Sequence, residues 1–332
     1  MGKPYLLVTD THLGLYGAAD VWHDVTLRLF KTVADYCSRH NIDTIIHLGD
    51  FFNNRKNINV KSLDYADAIG NILNDFKTIL VVGNHDTYYK NQIKPHSLVV
   101  FNKFENIMII DEPTNLDGNI GLVPWGLDFS MLETPYLMGH FEVNGFRMNS
   151  GYSMMGGKLN VSDFKNYDKV ISGHYHTPMY DENVNYLGSP FQQNFADVGS
   201  KRGFYVFDDG ELDFIEFLEA PRFVKINTSK FEEHLSRVPG NIVKLIFDED
   251  YGTVENTKIL EKIQLTGPFQ LHPDFSNISG DLEETESIED VDMKDNKEIV
   301  DEYVKTIEIP RNLEPNVVVR MFSNLIDSVT EK

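Results

Sequence analysis

Apolar residues along this chain keep two rhythms. Short unbroken runs such as Tyr5-Leu6-Leu7-Val8, Thr44-Ile45-Ile46 and Thr78-Ile79-Leu80-Val81-Val82 predict buried strands. Between them Val25, Leu27, Leu29, Phe30, Val33, Ala34 and Cys37, and then Leu63, Ala66, Ile69, Ile72 and Leu73, recur at helical spacing. Asn41 closes the first helical stretch. Strand–helix–strand order predicts right-handed parallel crossovers. Further strands are predicted at Ile107–Ile110, Ile120–Val123, Tyr136–Phe141 and Lys169–Ser172. Tyr186–Pro190 and Gly203–Phe207 read as antiparallel strands, the latter turning at Asp208-Asp209-Gly210 into Leu212–Phe217. Parallel units early and hairpins late predict an α/β fold: a pair of mixed sheets flanked by helices.

Pro221 marks a hinge after a first domain of residues 1–220. Beyond it, strands at Phe223–Ile226 and Val243–Phe247, with helices over 229–236 and 258–265, predict a small α+β unit over 221–275. A unit that small is thin for independent folding and is expected to pack on the first domain. Residues 276–295 carry Asp281, Glu283, Glu284, Glu286, Glu289, Asp290 and Asp292 and read as an acidic linker. Two amphipathic helices are expected over 296–332, with apolar faces at Val300, Tyr303, Val304 and Ile307 and at Phe322, Leu325 and Ile326.

Composition narrows the function classes. The formal charge of -21 argues against a freestanding basic nucleic-acid binder, because affinity for the phosphate backbone comes largely from Lys and Arg. It does not exclude a nuclease whose partner supplies the electrostatic grip. Cys37 is the only cysteine, which removes disulfides and thiolate metal clusters from consideration and suits a reducing compartment. No apolar run is long enough to span a bilayer and no secretory apolar region precedes the first strand, so a cytoplasmic location is expected, in the host cell if the gene is a phage's.

Chemistry concentrates where predicted strands stop. Asp10 and His12 follow the first, Asp50 the second, Gly83-Asn84-His85-Asp86 the third, His140 ends a fourth, and Gly173-His174-Tyr175-His176 follows a fifth. Asp10, His12, Asp50, Asn84, His140, His174 and His176 are oxygen and imidazole ligands without a thiolate among them. Such a set suits two adjacent divalent cations sharing a carboxylate; Mn²⁺ fits the mixture, with Fe²⁺ and Zn²⁺ as alternatives. Two close cations supply a nucleophile at neutral pH and neutralise the attacking and leaving oxygens of a phosphoester. Asp-x-His and Gly-Asp are weak alone, being common in turns, whereas Gly-Asn-His-Asp and Gly-His-Tyr-His at strand ends are stronger; all four at strand ends make one assembled site. His85 is expected as a proton donor. His23, His40, His96, His234 and His272 are expected at the surface or in caps, and His47 as a hydrogen-bonded core histidine.

Together Asp10-x-His12, Gly49-Asp50, Gly83-Asn84-His85-Asp86, His140 and Gly173-His174-x-His176 resemble the calcineurin-like metallophosphoesterase superfamily over roughly residues 1–210. The small unit opening at Ala220-Pro221-Arg222-Phe223, the acidic stretch and the terminal helical pair are similar to the SbcD nuclease family, in the branch of the T-even phage recombination endonucleases. That resemblance implies an α/β/β/α sandwich, a capping domain over 221–275, and helices over 296–332 that dock on an SbcC-like coiled-coil ATPase. It implies one cation on Asp10, His12, Asp50 and His176, and another on Asp50, Asn84, His140 and His174. His85, steadied by Asp86, would serve the leaving oxygen. It also implies Mn²⁺-dependent 3′-to-5′ exonuclease and single-strand or hairpin endonuclease action on DNA, in recombination, repair and replication, by a homodimer of nuclease subunits. The family often carries Gly-Asp-x-x-His, and here Asn53 stands in the histidine's place. Two alternatives remain: a phosphatase or phosphodiesterase of the same fold acting on a small molecule or phosphoprotein, and a non-catalytic scaffold.

Overall fold

The computed structural model describes residues 3–149, 152–153 and 157–277. These belong to one compact unit; the expected partner-docking helices and all but the first two residues of the expected linker lie outside the described residues. In chain order the strands are β1 (Tyr5–Val8), β2 (Thr44–His47), β3 (Lys77–Val81), β4 (Ile107–Ile110), β5 (Thr114–Asn115), β6 (Ile120–Val123), β7 (Tyr136–His140), β8 (Arg147–Asn149) and β9 (Tyr152–Ser153). They continue as β10 (Lys169–Gly173), β11 (Met179–Asp181), β12 (Val184–Tyr186), β13 (Gly203–Asp208), β14 (Glu211–Glu216), β15 (Phe223–Asn227), β16 (Ile242–Ile246) and β17 (Gln270–Asp274).

One sheet has the order β14-β13-β1-β2-β3-β4, the other β11-β12-β10-β7-β6-β5. Strands β1 to β4 are parallel, and β13 returns antiparallel against β1. Alternation along each strand explains why both faces of the first sheet are apolar. Leu7, Ile46, Ile79 and Val81 point into the layer between the sheets, where they meet Ile120, Leu122, Met138 and Ile171. Leu6, Val8, Ile45 and Leu80 point the other way, onto Val25, Leu29, Phe30, Val33, Ala66, Ile69 and Leu73. The latter come from the helices Asp20–His40 and Val60–Leu73, which cover that face. The first ends as expected at Asn41, left-handed at φ 55, whose N–H returns to the Cys37 carbonyl. The second is capped by Asn59, whose side chain accepts from the Ser62 N–H at 2.8 Å.

The second sheet's outer face differs from the α/β/β/α expectation. Among the described residues it is covered by loops and by the 3-10 turn Val161–Phe164, through Phe129, Phe141, Phe164, Tyr167 and Tyr175. The predicted strand at Tyr186–Pro190 is also changed: β12 stops at Tyr186 and lies parallel to β10, with only β11 antiparallel to it. The hairpin at Asp209-Gly210 is present, both residues at positive φ (47 and 89).

The small unit is the parallel sheet β15-β16-β17 with the helix Thr253–Leu265. Strand β17, Gln-Leu-His-Pro-Asp, escaped the pattern because a polar edge strand has little apolar signal and Pro273 argues against one. The helix expected over 229–236 is a kinked 3-10 segment, Thr228–Arg237. Phe223 and Ile242 join the core of the large sandwich, and Trp22 stacks on Phe223 with centroids 6.2 Å apart. The small sheet thus packs against the sandwich through Phe223 and Ile242.

Candidate metal centre

The strand ends deliver their polar residues through bent backbone. Asp10, His12, Asp50 and His174 all have positive φ, at 52, 44, 55 and 92. L-residues rarely hold this conformation, and its clustering at one place is a mark of a functional site. The bends are held by pairing that continues past β1 and β2: Asp10 N–H to Gly49 carbonyl at 3.0 Å, His12 N–H to Asp50 carbonyl at 3.1 Å. Two motif glycines are there because backbone and ligand come too close for a side chain. A Cβ on Gly83 would lie 2.1 Å from the Asp50 amide nitrogen, and one on Gly49 would lie 2.4 Å from His140 Nδ1.

Two clusters result. Asp10, His12 and His176 bring one ligand atom each within 4.8 Å of one another, and Asp50, His140 and His174 do the same. In the first, His12 Nε2 and His176 Nε2 are 3.0 Å apart. The Asp10 carboxylate is braced across the sheets by the His174 N–H at 3.1 Å, and by the Thr9 hydroxyl at 2.8 Å. In the second, Asn84 Oδ1 lies 2.9 Å from His140 Nε2 and 3.0 Å from His174 Nδ1. Asp50 stands between them. Its Oδ1 accepts the His85 N–H at 2.7 Å, and its Oδ2 lies 3.3 Å from His140 Nε2 and 3.7 Å from His12 Nε2.

The donor set fits divalent cations on its own chemistry. The Leu48 carbonyl, 2.8 Å from His140 Nδ1, can only accept, so that nitrogen carries a proton and Nε2 is the atom that faces Asn84 Oδ1 and Asp50 Oδ2. That nitrogen meets the two oxygens either as a donor, when the ring carries a second proton, or as a lone pair, when a cation sits among them. Electrostatics agree. Burial, with His176 and His85 nearby, holds His12 well below the ordinary imidazole range; burial and His140 press His174 to about 3, and burial lowers His176. These rings are neutral, as ligands must be. Burial pushes Asp10 up. Burial would also raise Asp50, but His140, His85 and His12 outweigh it and hold it low. Burial would lower His140, but Asp50 outweighs it and lifts the ring to about 9. A proton on His140 thus takes up the charge that a cation would otherwise supply.

All seven expected ligands therefore meet in one place. Asp86 does not do what was expected of it. Its carboxylate accepts from the backbone N–H groups of Gly83 at 2.9 Å and of Phe51 and Phe52 at 3.1 Å. Burial and the Asp50 charge raise it to about 7. His85 is steadied instead by the Asn53 carbonyl, 2.7 Å from its Nδ1. Among the other histidines, His47 is a core residue bonded to the Thr11 hydroxyl at 3.0 Å, as expected. His23 and His96 are buried rather than on the surface, His23 against Ser62 and Tyr65 and His96 toward Asp111. Trp125 was missed: its ring packs 4.8 Å from His174 and 5.9 Å from His140. It follows β6, so it too stands at a strand end.

A model of the calcineurin-like phosphoesterase family matches residues 3–178, more than half of the chain. The chain belongs to that family. As a calcineurin-like phosphoesterase it is 34% identical over 225 residues to exonuclease subunit 1 of Enterobacteria phage T4, covering 63% of this chain and 65% of that protein. The match thus spans just under two thirds of that relative's length. The crystal structure of Pseudomonas putida nuclease MPE aligns with 64% of this chain and 87% of its own, at 18% identity and a TM-score of 0.35. No helix among the described residues is long and apolar enough to cross a membrane.

Proposed function

We propose that this phosphoesterase is a two-cation DNA phosphodiesterase, the nuclease subunit of an SbcCD-like complex acting in recombination, repair and replication. The observation that carries the chemistry is Asp50, whose single oxygen Oδ2 faces both clusters. Asp10, His12 and His176 would hold one cation; Asn84, His140 and His174 would hold the other; Asp50 would bridge. Bound there, two divalent ions, Mn²⁺ by the donor set, would polarise the phosphoester and make water nucleophilic at neutral pH.

The chain's own residues do the rest. With Nδ1 pinned to the Asn53 carbonyl, His85 presents Nε2 as the atom that gives a proton to the departing oxygen. Its ring stands edge-on to His12 at 4.9 Å, beside the bridged pair. Asp86 keeps the turns at residues 51–52 and 83 in shape, so that Asp50 and His85 stay aligned.

DNA as substrate is supported by the relationship to a phage exonuclease subunit and by the site's rim. The loops 51–59 and 87–96 follow Asp50 and Asp86 and contain Arg55, Lys56 and Lys90 but no Asp or Glu, in a chain of charge -21; a fourth cation there, Lys94, pairs with Asp111. Tyr88 and Tyr89 are exposed on the second loop, suited to stacking on unpaired bases. Exonuclease action from 3′ to 5′, endonuclease action on single strands and hairpins, a dimer of nuclease subunits, residues 221–275 as a capping domain, and docking of 296–332 on an SbcC-like ATPase complete the proposal.

The test is cleavage of end-labelled single-stranded, hairpin and duplex DNA with Mn²⁺, by the full chain and by a form ending at residue 295. Both should cleave single strands and hairpins, and only the full chain should be stimulated on duplex by the ATPase. Hydrolysis of small phosphomonoesters without cleavage of any DNA would replace the nuclease assignment with a small-molecule phosphatase. Stimulation of the shortened form would remove the docking assignment.

A further inference from the structure

Two adjacent glutamines, Gln192 and Gln193, are buried in a part of the chain that supplies no candidate ligand. Gln193 Nε2 donates to the main-chain carbonyl of Asp10 at 3.0 Å. Gln192 Oε1 accepts the N–H of Phe223, first residue of β15, at 2.7 Å. One dipeptide thus grips both the backbone of a candidate cation ligand and the root of the small sheet. The dipeptide is itself fixed. Asp197 accepts the Gln193 N–H at 2.8 Å and forms an ion pair with Arg202, both side chains only 3% exposed. Arg202 also donates to Ser200 Oγ at 2.9 Å and Ser189 Oγ at 3.2 Å, and Gln192 Nε2 donates to the Ser200 carbonyl at 2.9 Å. An apolar path runs beside the polar one. The Tyr16 hydroxyl donates to the Gln193 carbonyl, the Tyr16 ring packs on Trp22 at 5.6 Å, and Trp22 stacks on Phe223.

We propose that Gln193 is a positioning residue for Asp10, and that Gln192–Gln193 couples the seat of the small sheet to the cation held by Asp10, His12 and His176. This rests on those three residues forming a cation site. A buried hydrogen bond that fixes a strained carbonyl costs more to break than a surface one, because the freed groups stay out of water. Displacing Phe223 therefore shifts Asp10 directly, while the second cluster is anchored separately by the Leu48 carbonyl and Asn84 and meets the tether only through the His174 N–H on the Asp10 carboxylate. Coupling of this kind is reciprocal: the cation should hold β15 as firmly as β15 holds the cation. Whatever moves the small sheet, a partner or a bound strand, would then adjust one cation and leave the other.

Mn²⁺ titration by calorimetry, with Gln193→Met and Gln192→Met in the full chain, tests this. Methionine fills the same space without the hydrogen bonds. Gln193→Met should weaken one of two binding steps about five- to tenfold, the loss of one buried hydrogen bond. Gln192→Met, which touches no ligand, should weaken the same step and leave the other. In the wild-type chain, Mn²⁺ should slow hydrogen exchange at the Phe223 amide, a measurement that requires no variant to fold. Unchanged exchange at Phe223, or both steps weakening together, would overturn the coupling. Uptake of fewer than two cations by the wild type would overturn the cation sites themselves, and the coupling with them.

Discussion

The two clusters share Asp50 but differ in what surrounds them. His140 is 0% exposed at the floor, anchored to the Leu48 carbonyl, with Trp125 packed against it and His174. In the other cluster His176 is 30% exposed and faces His12 across the mouth of the site. Both rest on strained turns and each has one partly exposed imidazole, His176 at 30% and His174 at 11%, so the first cluster is the more open.

The largest expected effect removes what the clusters share. Asp50→Ala should abolish hydrolysis and take cation content from two toward none, whereas His12→Ala should spare the floor cation. Two cations still bound by Asp50→Ala, counted by elemental analysis, would show that Asp50 is not the bridge. Next, His85→Ala should slow DNA hydrolysis about 10²–10⁴-fold, the usual worth of a positioned acid–base group, with both cations retained. Loss of a cation from that variant would make His85 a ligand instead. A smaller effect separates floor from mouth. Under graded chelation the protein should pass through a form with one cation, and His176→Ala should start from that form. Simultaneous loss of both would erase the distinction.

The smallest effect concerns a carboxylate held by hydroxyls instead of imidazoles. Partial burial would raise Asp248, but the Ser229 hydroxyl and N–H and the Thr228 hydroxyl outweigh it and hold it at about 2. Its folded pKa lies below the unfolded value near 4, so its contribution is complete above about pH 4 and fades as pH falls toward 2. Thermal melts of Asp248→Asn should lose less stability than wild type over that window, with cation content unchanged at neutral pH. A change in cation content would mean that the small sheet's clamp reaches further than the glutamine pair.

The strand ends were readable because burial on both faces of a parallel sheet forces unbroken apolar runs, and a polar residue just beyond one has few places to go. Asp10, Asp50, Asn84, His140 and His174 are legible for that reason. The support of His85 was not, because a main-chain carbonyl at Asn53 has no side-chain signature. Asp86 misled for a related reason: its neighbour in sequence is His85, but the donors around it are amides of Phe51, Phe52 and Gly83, which only the meeting of two turns brings together. His23 and His96 read as surface or capping residues since nothing local tells a buried imidazole from an exposed one; His96 does stand at the N-cap of the turn Ser97–Phe101, with its ring buried. The small unit was recognised by its apolar strands, and β17 was lost because an edge strand needs few apolar residues.

The order of the strands also bears on when activity can arise. Asp10, Asp50 and Asn84 come early, but neither cluster is complete until His140, His174 and His176 arrive from the second sheet. Strand β1 gains its second neighbour only when β13 folds back beside it. During synthesis at the ribosome, an emerging chain therefore carries Asp10 and His12 of one cluster and Asp50 and Asn84 of the other, and lacks the imidazoles that close them. The earliest residues of the centre wait for the later ones, so neither candidate cation site exists before the second sheet is in place.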